Sequence, residues 1–370
     1  MRFTALCVVY ALFIAMQGAL SGKAVGAAID TPPNEVYGAD RTTGISAERL
    51  AVIVNEDDEY SVAVADYYVA RRAIPPQNVI RVRLPVQSTL SVAEFGDVKS
   101  QVVRQTPTNV QAFALTWVQP YRVDCMSITT AFAYGFDRAF CSDRCTETRK
   151  SAYLNAATRL PANTLGIFPT MSIAAYDIES ARALIDRGIA SDATYPSATA
   201  YLVSTSDKAR NVRAAGYIDI KKQPHAPIHV QIVNAEALTH RRDVIAYFIG
   251  ALQVADIATN RFLPGAVADH LTSTGGDLLH THQMSSLEWI RAGATGTYGT
   301  VVEPCAFPGK FPDPSVFLKH YLAGETLIEA YWKSVAMPGQ GIFIGEPLAR
   351  PFAKIGTDLG RRVLRSAEQP

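Results

Sequence analysis

Between residues 265 and 305 the chain concentrates side chains that could catalyse a reaction. The stretch GAVADHLTSTGGDLLHTHQMSSLEWIRAGATGTYGTVVEPC contains three histidines, two aspartates, two glutamates and several hydroxyls around two apolar runs. A serine hydroxyl becomes a nucleophile for acyl transfer when a histidine or a carboxylate accepts its proton. Ser273 is therefore a candidate nucleophile, with His270 or Glu303 as its candidate base.

A triad of Asp269, His270 and Ser273 is suggested by proximity in sequence, but the geometry of a strand opposes it. On a regular strand Asp269 and His270 point to opposite faces, and Ser273, at an odd spacing from His270, also faces away from it. Only a turn that begins at Thr272 would let His270 and Ser273 meet. The alternative for His270 is a core histidine that hydrogen-bonds a backbone carbonyl.

The loop that follows offers a pattern of metal ligands. Asp277, His280 and His282 give D-x2-H-x-H, and imidazoles at i and i+2 of a strand face alike, as a shared zinc ion requires. A pattern this short is more typical of a solvated loop. We therefore predict a polar loop here, no metal centre and no cofactor.

Other candidate residues follow from where ligands bind in α/β proteins, at the carboxyl ends of parallel strands. Short apolar runs predict strands over 50–55, 111–118, 265–273 and 294–302. The candidate ligand-binding residues at or just past these ends are Asn55, Thr116, Trp117, Tyr121, Arg122 and Thr272. Glu303 directly follows the last of these strands, and its alternative role is to accept hydrogen bonds from the Gly275–Gly276 backbone.

The elements that would position these residues predict an α/β fold. LAVIVN (50–55), the amphipathic SVAVADYYVARR (61–72) and a strand within 74–84 form a β–α–β opening, which indicates a parallel sheet. We predict a mainly parallel sheet with helices on both faces. The predicted helix-end signals are Asp177 and Gly188 around a helix over 177–188, and capping boxes formed by Ser285 with Glu288 and by Thr326 with Glu329.

The domain layout and the compartment follow from composition. The formal net charge is +1 and 48% of residues are apolar, so nothing in the charge balance indicates a nucleic-acid partner. Arg2, an apolar run over 5–16 and small residues near Ala27 predict a secretory signal peptide over 1–27. A leader (28–48), a single α/β domain (49–355) with an irregular insertion at about 130–175, and a tail (356–370) complete the predicted layout. We expect a periplasmic or secreted protein with no membrane span after cleavage of the signal.

Four cysteines remain once the signal peptide is removed, and an even number in an exported chain predicts disulfides. Four cysteines allow three pairings. Cys141 and Cys145 are close in sequence and are expected to pair locally, which would leave Cys125 to pair with Cys305.

The C-terminal order of elements resembles the caspase–haemoglobinase fold, closest to its gingipain-like and CHAT-type members, which have flavodoxin-like layers. The matching strings are YFIGAL, HLTSTGG, RAGATGTYGTV, HYLAGETLIEAY and IGEPL, over roughly residues 240–350. The resemblance implies a base after the strand that ends at Gly250 and a nucleophilic cysteine after the next strand. This chain has Ala251 and then Thr272-Ser273-Thr274 at those places, so the Cys–His dyad is missing.

The whole chain also resembles a family of exported bacterial proteins. The strings that carry this resemblance are NVIRVRLP, LIDRGIASD, HLTSTGG, GATGTYGTVVEP and GEPLARPF. It implies export and no particular activity. Together the two resemblances predict a non-peptidase or pseudo-enzyme that binds a peptide, protein or glycan at the strand ends. The alternative is a serine-type hydrolase that uses Ser273 with His270 or Glu303.

Overall fold

A ten-stranded, mostly parallel sheet forms the centre of the molecule. The computed structural model describes residues 44–142 and 145–354, all within one compact unit. The predicted signal peptide, nearly all of the leader and the tail lie outside these residues. The strands are β1 (Leu50–Asn55), β2 (Val79–Val82), β3 (Thr89–Leu90), β4 (Ala112–Leu115), β5 (Arg122–Val123), β6 (Met126–Ser127), β7 (Thr170–Ser172), β8 (Thr199–Ser204), β9 (His229–Asn234), β10 (Val244–Gly250), β11 (Phe262–Leu271), β12 (Gly296–Thr300) and β13 (Gly341–Gly345).

The α-helices alternate with these strands along much of the chain, as the β–α–β opening predicts. They are α1 (Glu59–Arg72), α2 (Val92–Gln105), α3 (Ile128–Tyr134), α4 (Pro161–Leu165), α5 (Ile178–Ser191), α6 (Tyr217–Lys222), α7 (Leu287–Arg291), α8 (Pro314–Leu322) and α9 (Leu327–Ser334). None of these helices has the length and apolar character that a membrane crossing needs.

The strand order of the large sheet is β2-β1-β4-β7-β13-β12-β11-β10-β8-β9. β13 is the last strand in the chain, yet it lies in the middle of the sheet between β7 and β12. It runs antiparallel to β12, with Thr300 opposite Gly341, and it joins β7 through the pair Ile344 and Ser172. The first four and the last five strands of this order are therefore connected through one C-terminal strand. β3, β5 and β6 form a separate small sheet.

Helical segments cover both faces of the sheet, as predicted. The contacts of two adjacent residues in β11 illustrate this arrangement. Adjacent residues of the strand point to opposite sides. Asp269 contacts Arg213 in a short 3-10 helix before α6, while His270 contacts Trp289 in α7. Both residues are 1% exposed, so each side of the strand is covered.

The segment from 130 to 175 is more regular than the sequence predicts. It contains most of α3, the short α4 and β7, which is a strand of the large sheet between β4 and β13. β7 has only three residues, Thr-Met-Ser, which is too short and too polar a run for periodicity to identify.

The disulfide pairing differs from the predicted one. The bonds join Cys125 to Cys141 and Cys145 to Cys305, with Cα–Cα distances of 5.4 Å in both. The predicted pairs Cys141–Cys145 and Cys125–Cys305 are therefore wrong. Cys125 lies in the tight turn between β5 and β6, close to the end of the 3-10 helix that precedes Cys141. Cys145 lies beyond that helix, beside the segment after β12, so closeness in space overrides closeness in sequence.

Candidate functional site

A cleft of about 160 Å³ lies where β11 and β12 end. Two short segments that follow these strands form most of its wall, and Arg210 and Phe311 come from elsewhere. The lining residues are Ala209, Arg210, Leu271, Thr272, Ser273, Glu303, Pro304, Cys305, Ala306 and Phe311. Three of the residues singled out in the sequence, Thr272, Ser273 and Glu303, therefore share one cavity. The Cys145–Cys305 disulfide anchors one side of it.

His270 lies directly before these residues but belongs to the core. Its Nδ1 accepts a hydrogen bond from the indole N–H of Trp289 at 2.9 Å, so its Nε2 carries the proton and donates to the carbonyl of Met284 at 3.0 Å. Burial lowers the pKa of His270 to about 4. The ring is therefore neutral, and both of its nitrogens are engaged away from Ser273. His270 is therefore a core histidine that hydrogen-bonds a backbone carbonyl, which is the alternative that the sequence offers to a catalytic base.

Asp269 points to the opposite face and does not support His270. It forms an ion pair with Arg213 at 2.5 Å, and the side chains of both residues are at most 4% exposed. Arg213 also donates to the carbonyl of Ile249 at 2.8 Å. Burial raises the pKa of Asp269, and the guanidinium opposes that shift. Asp269, His270 and Ser273 are thus not assembled as a triad, because adjacent residues of a strand point to opposite faces.

Thr272 has a hydroxyl that is committed to two neighbours. Its Oγ1 donates to Oε1 of Gln283 at 2.7 Å and accepts from Nε of Arg210 at 3.3 Å. The same Gln283 oxygen accepts the backbone N–H of Thr274 at 2.9 Å, and Arg210 also pairs with Asp207 at 2.9 Å. Gln283 thereby holds the turn after β11 in place, and Arg210 presents a partly exposed guanidinium to the cleft.

Ser273 lies beside Thr272 in the cleft, but its hydroxyl is not engaged by the described residues. Its side chain is half-buried and donates or accepts no hydrogen bond within the described part of the chain, while its carbonyl accepts from Oγ1 of Thr300 at 2.8 Å. A hydroxyl without a base is a weak nucleophile. It is available as a donor or an acceptor to a molecule in the cleft.

Glu303 is exposed and receives its hydrogen bond from its own turn. Its Oε1 accepts the backbone N–H of Cys305 at 2.7 Å. Glu303 does not hold the turn at Gly275–Gly276, which the backbone closes instead, since the N–H of Gly276 donates to the carbonyl of Thr300 at 2.9 Å. A Cβ on Gly276 would lie 2.6 Å from the carbonyl oxygen of Gly299, so this close approach requires glycine.

The candidate ligand-binding residues from the first half of the chain do not line the cleft. Asn55 is buried and its amide donates to the carbonyl of Leu84 at 2.9 Å, which ties β1 to the segment after β2. Thr116 is buried and its hydroxyl lies 2.8 Å from that of Ser61. Trp117 is 1% exposed and donates its indole N–H to the carbonyl of Pro120 at 3.0 Å. Each of these three side chains is hydrogen-bonded inside the protein, where it stabilises the fold.

Tyr121 and Asp277 meet, which places the segments after β4 and β11 side by side. The phenol of Tyr121 donates to Oδ1 of Asp277. Arg122 donates from Nε to Oγ1 of Thr89 at 3.0 Å, within the small sheet.

His280 and His282 are exposed, and no group of three His, Cys, Asp or Glu able to hold a metal occurs within the described residues. The carboxylate of Asp277 is instead engaged by the phenol of Tyr121.

Arg210 and Gln283 are the residues of this site that sequence reasoning missed. Both belong to loops. Arg210 reaches Thr272 from a segment that is distant in sequence, and Gln283 reaches it across the turn after β11. No periodic pattern marks such residues. The cleft can therefore offer a ligand the guanidinium of Arg210, the hydroxyl of Ser273 and the carboxylate of Glu303. Among the described contacts, no general base is hydrogen-bonded to Ser273.

Comparisons with known proteins add little to this geometry. No protein-family model matches the chain, and no curated protein matches it. One solved chain, described as "Structure of Protease", aligns with 83% of this chain and 79% of its own length, at 9% identity and a TM-score of 0.47. A likeness at that level assigns no activity. The structure itself defines the class as an α/β protein with a mostly parallel central sheet.

Proposed function

We propose that the chain is an exported, non-catalytic protein that binds a peptide segment in the cleft at the ends of β11 and β12. The observation that carries this proposal is the contrast between His270 and Ser273. Both ring nitrogens of His270 are hydrogen-bonded inside the protein, while the Ser273 hydroxyl in the cleft has no partner among the described residues. A group that lacks a base but is free to hydrogen-bond favours binding over acyl transfer.

The chemistry of the cleft favours a peptide over a glycan. Arg210 and Glu303 offer opposite charges and Ser273 offers a hydroxyl, which together match the polar groups of a peptide. A glycan site would gain from an exposed aromatic ring on which a sugar face could stack, whereas Phe311, the aromatic side chain of the cleft, is 1% exposed. The volume of about 160 Å³ lies below the roughly 300–1,000 Å³ of typical small-molecule pockets and fits one residue of a longer chain.

The relation to the caspase–haemoglobinase fold is part of this proposal. β10 and β11 are neighbouring parallel strands that end at Gly250 and Leu271. These ends correspond to the positions that the resemblance assigns to the base and the nucleophile. Ala251 and Thr272-Ser273 follow them, so the geometry supports a binding protein built on an enzyme-like scaffold. Two disulfides support export, because such bonds persist in oxidising compartments.

Peptide binding is tested with a pool of fluorescein-labelled synthetic decapeptides and fluorescence polarisation. Ser273→Trp would fill the cleft and weaken binding at least about tenfold, or roughly 1.4 kcal/mol. The matched control is Thr108→Trp, because Thr108 is an exposed residue that lines a different cavity of about 330 Å³. Absence of binding by the wild type, or equal effects of the two substitutions, would overturn the proposal.

The second candidate is a serine-type hydrolase, favoured by the presence of Ser273 and Glu303 in one cleft. A broad fluorophosphonate probe separates the two functions. The binding proposal expects no labelling of the wild type or of Ser273→Ala. Labelling of the wild type that disappears in Ser273→Ala would establish an activated serine and replace the proposal with the hydrolase.

A further inference from the structure

Among the described residues, the large sheet ends at β9, and no strand pairs with its outer side. β9 pairs with β8 over its whole length, from His229 opposite Thr199 to Asn234 opposite Ser204. The N–H of His229 donates to Ala198 and that of Ala235 donates to Ser204. Because the direction of backbone groups alternates along a strand, the even-numbered residues between them direct their N–H and C=O groups outward.

These outward groups belong to Val230, Ile232 and Asn234. Within the described part of the chain none of their backbone N–H or C=O groups has a hydrogen-bond partner. An exposed edge of this kind is a template for another strand, and proteins that remain monomeric usually protect it with charges, proline or a covering segment. The strand sequence HVQIVN contains no Lys, Arg, Asp, Glu or Pro.

We propose that β9 is a dimerisation edge at which a second copy of this chain adds its own β9 in antiparallel orientation. Centred on Ile232, this pairing sets Ile232 opposite its copy and Val230 opposite Asn234 of the other protomer. No like charges then face each other, since the strand is uncharged apart from His229. The outward N–H and C=O groups of β9 in one protomer then hydrogen-bond the same groups of the other protomer, as an isologous two-fold interface requires.

α6 provides an apolar contact beside the paired strands. This helix packs against β9 and exposes Ile218 to 62%, the most exposed of the large apolar side chains in the described residues. A two-fold axis perpendicular to the sheet leaves both copies of α6 on the same face of the joined sheet. The proposed dimer therefore includes the exposed Ile218 of each protomer as apolar surface on that face, which a short peptide would leave uncovered.

The oligomeric state of the purified protein tests the proposal by analytical ultracentrifugation across the micromolar range. We expect a concentration-dependent dimer. Ile232→Pro removes one outward N–H and keeps the β8–β9 ladder, because proline is accepted on the open side of an edge strand. It should raise the dimer dissociation constant at least about tenfold. Ile232→Ala, which keeps the N–H, is the matched control and should raise it less.

A second pair of variants guards against loss of folding. Asn234 is exposed and has an outward N–H, so Asn234→Pro blocks the edge without removing a buried side chain, and Asn234→Ala is its control. Near-ultraviolet circular dichroism verifies that each variant is folded. A wild type that stays monomeric at every concentration would overturn the proposal. So would a dimer that both proline variants leave intact, or one that the alanine controls weaken equally.

Discussion

At the scale of single residues, the most informative group is one that looks catalytic in the sequence and is structural in the fold. His270 stands three residues before a candidate nucleophile, but Trp289 and Met284 engage both of its nitrogens. The sequence allows this outcome to be anticipated in part, because strand alternation predicts that His270 and Ser273 face apart. It could not supply the partners, which come from the loop after β11 and from α7.

The buried neutral state of His270 predicts a pH dependence of stability. Its pKa is lowered to about 4 in the fold from an ordinary value of 6.5, so the unfolded chain takes up a proton first as the pH falls. Stability from this group is complete above pH 6.5 and declines between pH 6.5 and pH 4. The loss between pH 7 and pH 5 should be about 2 kcal/mol.

Urea unfolding of the wild type and of His270→Gln at pH 7 and pH 5 measures this loss. Glutamine does not titrate, so the variant should lose about 2 kcal/mol less than the wild type over that interval. Identical pH dependence in the two proteins would show that His270 does not stay neutral in the fold.

Two neighbouring arginines at the end of α1 offer a matched comparison of a buried and an exposed ion pair. Arg72 is paired with Glu346 and with Asp192, and the side chain of Glu346 is fully buried. Arg72→Met leaves that carboxylate unpaired in the interior and should cost about 3–5 kcal/mol of unfolding free energy. Arg71, which pairs with Asp186 at the surface, is the control, and Arg71→Met should cost below about 1 kcal/mol. Thermal and urea unfolding measure both, and equal losses would contradict the argument.

At the scale of elements, two identical sequence signals had different outcomes. Thr326 and Glu329 form the predicted capping box at the start of α9. Ser285 and Glu288 do not form one, because the Ser285 hydroxyl donates to the carbonyl of Leu278 and the Glu288 carboxylate binds Tyr176. α7 therefore begins at Leu287. A motif predicts a cap only where its side chains have no stronger tertiary partner.

Gly188 is a second case in which tertiary contact overrides a local signal. It was predicted to end the helix over 177–188, but α5 continues to Ser191. A Cβ at Gly188 would lie 2.6 Å from the Glu346 side chain, so glycine is required there for a close approach inside the helix. The alternation of strands and helices could thus be predicted from local pattern. Helix ends, the short β7 and the disulfide pairing depend on contacts between distant residues.

The two disulfides differ in the length of chain that they close, and this predicts unequal effects on stability. Cys145–Cys305 spans 160 residues and Cys125–Cys141 spans 16. A longer closed loop restricts the unfolded chain more, by about 5 kcal/mol against about 3 kcal/mol in the chain-entropy description. Removal of the long-range bond by Cys145→Ser with Cys305→Ser should therefore cost more than Cys125→Ser with Cys141→Ser.

Urea unfolding of the two double variants under oxidising conditions measures the difference. The long-range pair has an additional readout, since Cys305 lines the cleft and its release should also weaken decapeptide binding. A larger loss of stability from the short-range pair would contradict the loop-length argument.

At the scale of the whole molecule, the position of β13 makes the fold depend on its C-terminal strand. β13 separates the four strands from the first half of the chain from the five that follow them, and it pairs with β7 on one side and β12 on the other. Neither side of the sheet is complete without residues 341–345. We therefore expect the described domain to unfold in one cooperative transition.

Two buried tryptophans report on the two sides separately. Trp117 follows β4 and Trp289 lies in α7, beside β11. With the other tryptophans replaced by phenylalanine, single-tryptophan variants should give coincident urea transitions by fluorescence. A chain that ends at Gln340 lacks β13 and should lose cooperative unfolding on both sides, whereas one that ends at Lys354 should keep it. Separate midpoints for Trp117 and Trp289, or a folded half in the shorter chain, would mean that the two sides are independent and that β13 joins them without being required by either.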